Sequence, residues 1–192
     1  MKIHDWDERY RSADQAKEDA ESPPNQLLVE TVAKLQPGKA LDLACGTGRN
    51  ALWLAANNWD VTAVDGSQAA IDLLCRRAAE RGIAIHTCVA DLAKDEYPLQ
   101  TASWDFIAIC FYLQTSLIES AKRGVKPGGL FLVIVHIASP GDQPTAHQLR
   151  PGELKSYFDD WEILHYHEGP PNDPGHKRLS AEIVARRPSA AK

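Results

Sequence analysis

The chain has no apolar stretch long enough to cross a membrane. Its longest, Leu130 to Ala138, is nine residues interrupted by His136, whereas a transmembrane helix requires roughly 20. It opens MKIHDWDERY, acidic where a secretory leader carries an apolar core, so a cytoplasmic protein is expected. There is no dense run of Lys or Arg, and 21 basic against 26 acidic residues leave a net charge of −5. A dedicated nucleic-acid binder is therefore not expected. Cysteines are few: Cys45, Cys75, Cys88 and Cys110 form no CxxC pair and lie inside apolar patterns. They read as buried, reduced thiols rather than a disulfide framework. No repeat of 20–50 residues occurs. What is present, 44% hydrophobic and 24% charged residues over 192 positions, suits one folded domain able to bury a core without staples.

The hydrophobic pattern alternates between two periods. Residues 5–25 are charged, poor in aliphatics and end in Pro23-Pro24; they read as a loosely attached arm carrying Trp6 and Tyr10. Asn25 is placed to cap a helix running to about Leu35. Strands are expected at Ala40–Ala44, Asp60–Val64, Ile83–Val89, Trp104–Cys110 and Leu130–Val135. Helices are expected at Asn50–Asn57, Gln68–Arg81 and Leu117–Val125, the second with Ile71, Leu74, Cys75 and Ala78 on its apolar face. Strands apolar on both faces and separated by helices form a parallel sheet covered on both sides. The C-terminal part differs. A short helix at Pro151–Phe158 precedes Trp161–His167 and Ser180–Arg186, strand-like runs with polar alternation joined by GPPNDPGHK. Two strands connected without a helix pair antiparallel. The fold class is α/β: a three-layer Rossmann-like sandwich whose seven-stranded, mostly parallel sheet closes with a C-terminal antiparallel hairpin.

The strongest chemical signal is Leu41-Asp42-Leu43-Ala44-Cys45-Gly46-Thr47-Gly48-Arg49-Asn50. A strand ends in a glycine turn that opens a helix, so backbone can approach a ligand and free N–H groups face it. Asp65 follows 17 residues after Gly48, at the end of the next strand, where a carboxylate can accept both hydroxyls of a ribose. The pattern indicates a nucleotide-type cofactor. Gly46 to Ala51 also fits the dinucleotide pattern G-x-G-x-x-A. Asp42, however, would face a pyrophosphate poorly and suits a cationic amino-acid group, and the chain leaves no room for a second domain to hold a hydride acceptor.

DLACGTGRN, VTAVDGS (Val61–Ser67), VADL (Val89–Leu92) and KPGG (Lys126–Gly129), in this order, resemble the class I S-adenosylmethionine-dependent methyltransferases. The resemblance implies that Asp42 and the Ala44, Cys45, Gly46 and Gly48 turn hold the methionine end of S-adenosylmethionine. It implies that Asp65, with Gly66 and Ser67, takes the ribose, that Asp91 and Leu92 meet the adenine, and that Cys110 and Phe111 leave the fourth strand beneath the sulfonium. Ala44 departs from the glycine common at that position. Structural readings remain open: Asp91 as a turn cap, Cys110 as core, Asn50 and Arg49 as helix-start residues. GRN after the turn, WDERY near the N-terminus and the closing VARRP are similar to the tellurite-resistance (TehB-like) and thiopurine methyltransferases, in which an N-terminal arm folds over the cofactor. That gives Trp6 and Tyr10 a place at the cofactor, with docking of the arm on the core as the alternative. The domain then divides into an arm (1–25), a cofactor-binding core (37–136) and a C-terminal helix and hairpin (151–187).

No NPPY or DPPY follows the fourth strand, which argues against adenine-N6 or glutamine-amide methylation, and no Pro-Cys pair serves cytosine-C5 chemistry. The expected reaction is methyl transfer to a small soft nucleophile, a tellurite- or selenite-type oxyanion or a thiol, which needs little or no deprotonation. Candidate acceptor-site residues are Tyr112, His136, His176 and Arg178, with Lys177 beside them. Another acceptor class, or a non-catalytic S-adenosylmethionine-binding module, are the alternatives. His165 and His167 share a strand face without further credible ligands, so no metal is expected. A monomer or weak homodimer is expected, with no membrane partner.

Overall fold

The computed structural model describes residues 3–12, 22–173 and 175–189. Residues 1–2 and 13–21 of the expected arm and the last three residues lie outside these. The chain folds into two compact units, Met1–Pro98 and Leu99–Lys192. Of the seven strands among the described residues, β1 (Lys39–Leu43), β2 (Asp60–Asp65) and β3 (His86–Val89) lie in the order β3-β2-β1 in the first unit. In the second, β4 (Trp104–Cys110), β5 (Val125–His136), β6 (Glu162–Gly169) and β7 (Ser180–Arg186) lie in the order β4-β5-β7-β6.

In the first unit, β1 (Lys39–Leu43), β2 (Asp60–Asp65) and β3 (His86–Val89) are parallel, with Asp42 opposite Ala63 and Asp65 opposite Val89. Four of the five β1 residues are buried, as expected for a strand covered on both faces. Among the described residues four α-helices accompany them: α1 (Ile3–Arg11), α2 (Gln26–Val32), α3 (Arg49–Ala56) and α4 (Gln68–Glu80). Asn25 caps α2 by accepting from Leu28 N–H at 3.2 Å, as its position predicts. The helix stops at Val32, short of Leu35. Strand β3 starts at His86 rather than Ile83, because Ile83 N–H still bonds back to Ala78 at the end of α4.

Two expectations in this unit are corrected. The arm is not loosely attached where it is described: Ile3–Arg11 is a helix that packs on α4. Ile3, Trp6, Asp7 and Tyr10, at i, i+3, i+4 and i+7, are its half-buried face. On α4 the buried face is Ala70, Ile71, Leu74, Arg77 and Ala78, so Cys75 points outward and is exposed. Of the four thiols only Cys45 is buried.

In the second unit, β4 (Trp104–Cys110) and β5 (Val125–His136) are parallel. Between them lies α5 (Thr115–Gly124). The pairing steps from Trp104 with Val125 to Phe106 with Leu130, so the KPGG segment bulges out with Gly128 at φ +81°. A short α6 (Glu153–Ser156) precedes the antiparallel hairpin β6 (Glu162–Gly169) and β7 (Ser180–Arg186). The expected polar alternation holds on β6 but not on β7, where Ser180 through Ala185 are all buried. The reason is position: β7 lies between β5 and β6, with neighbours on both edges, whereas β6 is an edge strand. Glu182 is thereby only 2% exposed, with His165 Nε2 at 3.7 Å.

Candidate functional site

In the first unit the site is built where β1 and β2 end. The chain leaves β1 through Ala44 at φ +57°, then Gly46 at +53° and Gly48 at +82°, and enters α3. Left-handed backbone is open to glycine and strained for alanine. Ala44→Gly relieves about 1–2 kcal/mol of that strain, against about 0.4–1 kcal/mol for the extra chain entropy that glycine loses on folding. It is expected to raise stability by about 0.5–1 kcal/mol, read from denaturant midpoints.

Asp65 fastens the turn to β2. Its Oδ2 accepts from Gly46 N–H at 2.8 Å and its Oδ1 from Ser67 N–H at 2.9 Å. Burial raises its pKa, and the Ser67, Gly46 and Gly66 amides oppose the rise. From α4, buried Arg77 donates through Nη1 to the Thr47 carbonyl at 2.8 Å and to Thr47 Oγ1 at 3.1 Å. Sequence reasoning missed this brace; an arginine at i+3 from Leu74 on the apolar face was the available signal. Asn50 is buried at the start of α3 and its Oδ1 accepts from Asn25 N–H at 2.8 Å, so that oxygen serves the fold.

Asp42 is the unusual group. It is 2% exposed, and Oδ2 has no hydrogen-bond partner among the described residues. Burial, opposed by the nearby Arg49 charge, pushes its pKa up to about 7. A buried carboxyl left with an empty acceptor beside a glycine turn fits a cationic ligand group. Burial first, then the charges of Asp65 and Asp42, push the Cys45 thiol up, so it remains protonated.

Helix α1 reaches the same turn. A Cβ on Gly46 would stand 3.0 Å from the Tyr10 hydroxyl oxygen, and one on Gly66 would stand 2.9 Å from Ile3 Cδ1. Trp6 stacks on Tyr10 with ring centroids 5.8 Å apart. Asp7, which the sequence reading did not single out, accepts from Ser67 Oγ and from Ala69 N–H. Asp91 caps the turn after β3, Oδ1 accepting from Ala93 N–H at 3.0 Å and Oδ2 lying 2.9 Å from Lys94 Nζ. Leu92 is packed at 4% exposure, so its side chain is core.

The second unit gathers the other candidates at the ends of β4 and β5. Phe111, at φ +60°, stacks face to face on His176, with centroids 3.3 Å apart. The His136 ring lies 5.4 Å from Phe111 and 5.5 Å from His176. Burial first, then the charge of Arg178, holds the His136 imidazole below its ordinary pKa, with the Leu179 backbone opposing. Its Nδ1 has no hydrogen-bond partner among the described residues. Cys110 and Tyr112 flank Phe111 and are half-buried.

The family model described as tellurite resistance protein TehB matches residues 16–173. Hemagglutinin 1 of Eikenella corrodens is 30% identical over 151 residues, 75% of this chain and 50% of that protein. A probable S-adenosyl-L-methionine-dependent methyltransferase TehB of Haemophilus influenzae is 28% identical over 148 residues, 73% of this chain and 52% of that protein. The chain therefore spans about half the length of the curated relatives it matches. The crystal structure of TehB from Haemophilus influenzae superimposes with a TM-score of 0.72 at 28% identity, covering 83% of this chain and 61% of that one. With most of its length matched by the family model and its fold shared with a solved member, the chain belongs to the TehB family of Rossmann-like methyltransferases.

Proposed function

We propose that this chain transfers a methyl group from S-adenosylmethionine to a small soft nucleophile, a tellurite- or selenite-type oxyanion or a thiol. The observation that carries the reading is Asp42, a buried carboxyl with an unpartnered oxygen beside the Gly46–Gly48 turn. An α-ammonium placed there would supply the missing donor and the opposite charge. Family membership supports the same cofactor.

In this reading Asp42 and the Ala44–Gly48 turn hold the methionine end, and Asp65 accepts the ribose hydroxyls while keeping its two amide bonds. Gly66 and Ser67 line the ribose, and the Asp91–Leu92 corner receives the adenine. Lys94 must then share or release the Asp91 carboxylate, a small cost because the Lys94 end of the pair is solvent-exposed. Trp6 and Tyr10 cover the turn, and Cys110 and Phe111 line the reacting end. When bound, S-adenosylmethionine supplies an electrophilic methyl on a sulfonium. The protein's task is to hold an acceptor in line at about 3 Å and to keep water out. The acceptor group is Tyr112, His136, His176 and Arg178. Arg178 offers positive charge to an oxyanion, and a neutral His136 can accept a proton from a thiol. Such a displacement requires no metal.

Asp65→Ala tests the cofactor assignment. Calorimetric titration is expected to show affinity for S-adenosylhomocysteine weakened by about 1–3 kcal/mol. Unchanged affinity would remove the ribose role.

A further inference from the structure

Helix α1 has no fully buried residue, yet it is seated on the loop that the proposed function uses. Apolar burial alone gives it little hold. The charged contact beneath it is Asp7. Its Oδ1 accepts from Ser67 Oγ and, at 3.1 Å, from Ala69 N–H, and its Oδ2 lies 3.4 Å from Arg11 Nη2. Ser67 and Ala69 are the N-cap and second residue of α4, a 13-residue helix whose leading N–H groups favour an anion. Ser67 Oγ also accepts from Ala70 N–H at 3.2 Å, and Ser67 N–H donates to Asp65. The Ser67 hydrogen bond and the amide lower the Asp7 pKa, so the carboxylate is charged across the neutral range. A single hydrogen-bonded chain thus runs from α1 through Asp7 and Ser67 to Asp65 and on to Gly46.

The consequence is positional. With Asp7 fastened, Ile3 rests against Gly66 and Tyr10 against Gly46. These are the loop positions assigned to the ribose and the methionine end. A ligand seated between Asp42 and Asp65 is covered by α1 and leaves only when α1 lifts. We infer that Asp7 is a positioning residue that latches α1 over the cofactor loop and sets the rate at which bound cofactor escapes. The gating part rests on the proposed cofactor reading; the latch itself does not.

Asp7→Asn keeps shape and removes the charge. Two readouts separate the two parts. In the unliganded full chain, amide exchange in α1 is expected to rise at least about tenfold, while the thermal midpoint moves by less than about 2 °C, as for local rather than global opening. In stopped-flow displacement, S-adenosylhomocysteine release is expected to quicken about tenfold with association changed less than about threefold. The control is Glu8→Gln on the outward face of α1, where, among the described residues, Glu8 pairs with exposed His4 at 3.2 Å; it leaves both readouts unchanged. Unaltered α1 exchange in Asp7→Asn overturns the latch. Faster exchange with an unaltered release rate overturns the gate. A wild-type protein that binds no S-adenosylhomocysteine removes the proposed function and the gate with it, and the exchange measurement still decides the latch.

Discussion

Asp42→Asn is expected to stabilise the unliganded protein and to cripple cofactor binding at the same time. The folded-state pKa of about 7 stands above the ordinary 3.8. Between those values the native state holds a proton that the unfolded chain has released, so stability falls as pH rises from about 4 to about 7. A gap of roughly three pKa units corresponds to about 4 kcal/mol of destabilisation above pH 7. Part of that gain is lost because the amide brings donors that need partners, leaving about 2–3 kcal/mol. For a chain of this size that raises the melting temperature by about 5–8 °C at pH 8. At pH 5 the folded carboxyl is neutral while the unfolded one is ionised, a penalty of about 1–2 kcal/mol that the amide's unmet donors offset, so the two proteins should melt nearly together. The variant also loses the counter-charge for an ammonium and should bind S-adenosylmethionine about 10–100-fold more weakly. Equal melting shifts at both pH values would contradict the buried, ligand-seeking carboxyl.

Gly48→Ala is the second large effect, and it acts on the fold first. Gly48 has φ +82°, and a Cβ there would stand 2.5 Å from Leu74 Cδ1 and Cγ. Leu74 is fully buried in the face of α4 that packs on the sheet, so it cannot swing away. The left-handed backbone costs alanine about 1–2 kcal/mol and the overlap about 1–3 kcal/mol more. A loss of about 3 kcal/mol, or roughly 6–12 °C in melting temperature, is expected. Gly46→Ala meets only the end of the Tyr10 side chain, at 3.0 Å. It should cost less stability and chiefly loosen α1. The order of the two effects is the check: a Gly46 variant less stable than the Gly48 variant would contradict this packing. Leu74→Ala in the Gly48→Ala background should show favourable coupling, since it removes the obstacle.

The turn was readable in the sequence because its constraints are local. A strand of small and apolar residues, glycines at left-handed positions and an acid at the end of the next strand are all visible within 30 residues. The parallel strands were readable for a similar reason: strands buried on both faces cannot alternate. What sequence pattern did not reveal depends on distant partners. Cys75 looked apolar and Arg77 polar, but α4 turns Arg77 inward because Thr47 offers it two acceptors. Strand β7 carries Ser180 and Glu182 in polar positions, yet its place between β5 and β6 buries both. Helix α1 was hidden by its charge, although Ile3, Trp6 and Tyr10 fall at helical spacing. Asp7 acquires its role only through α4, some 60 residues away. The ring cluster of Phe111, His136 and His176 draws on three separate segments, and no short motif announces it.

Methyl transfer from S-adenosylmethionine is read from the appearance of S-adenosylhomocysteine. The purified chain would be incubated with S-adenosylmethionine alone and with selenite, tellurite or a small thiol, in parallel with the Asp65→Ala variant. Product that depends on one of these acceptors and falls sharply in the variant is expected. Binding of S-adenosylmethionine without product from any of them would contradict the soft-nucleophile reading and favour a non-catalytic binding module. Absence of binding would contradict the role given to Asp42 and to the turn it lies beside.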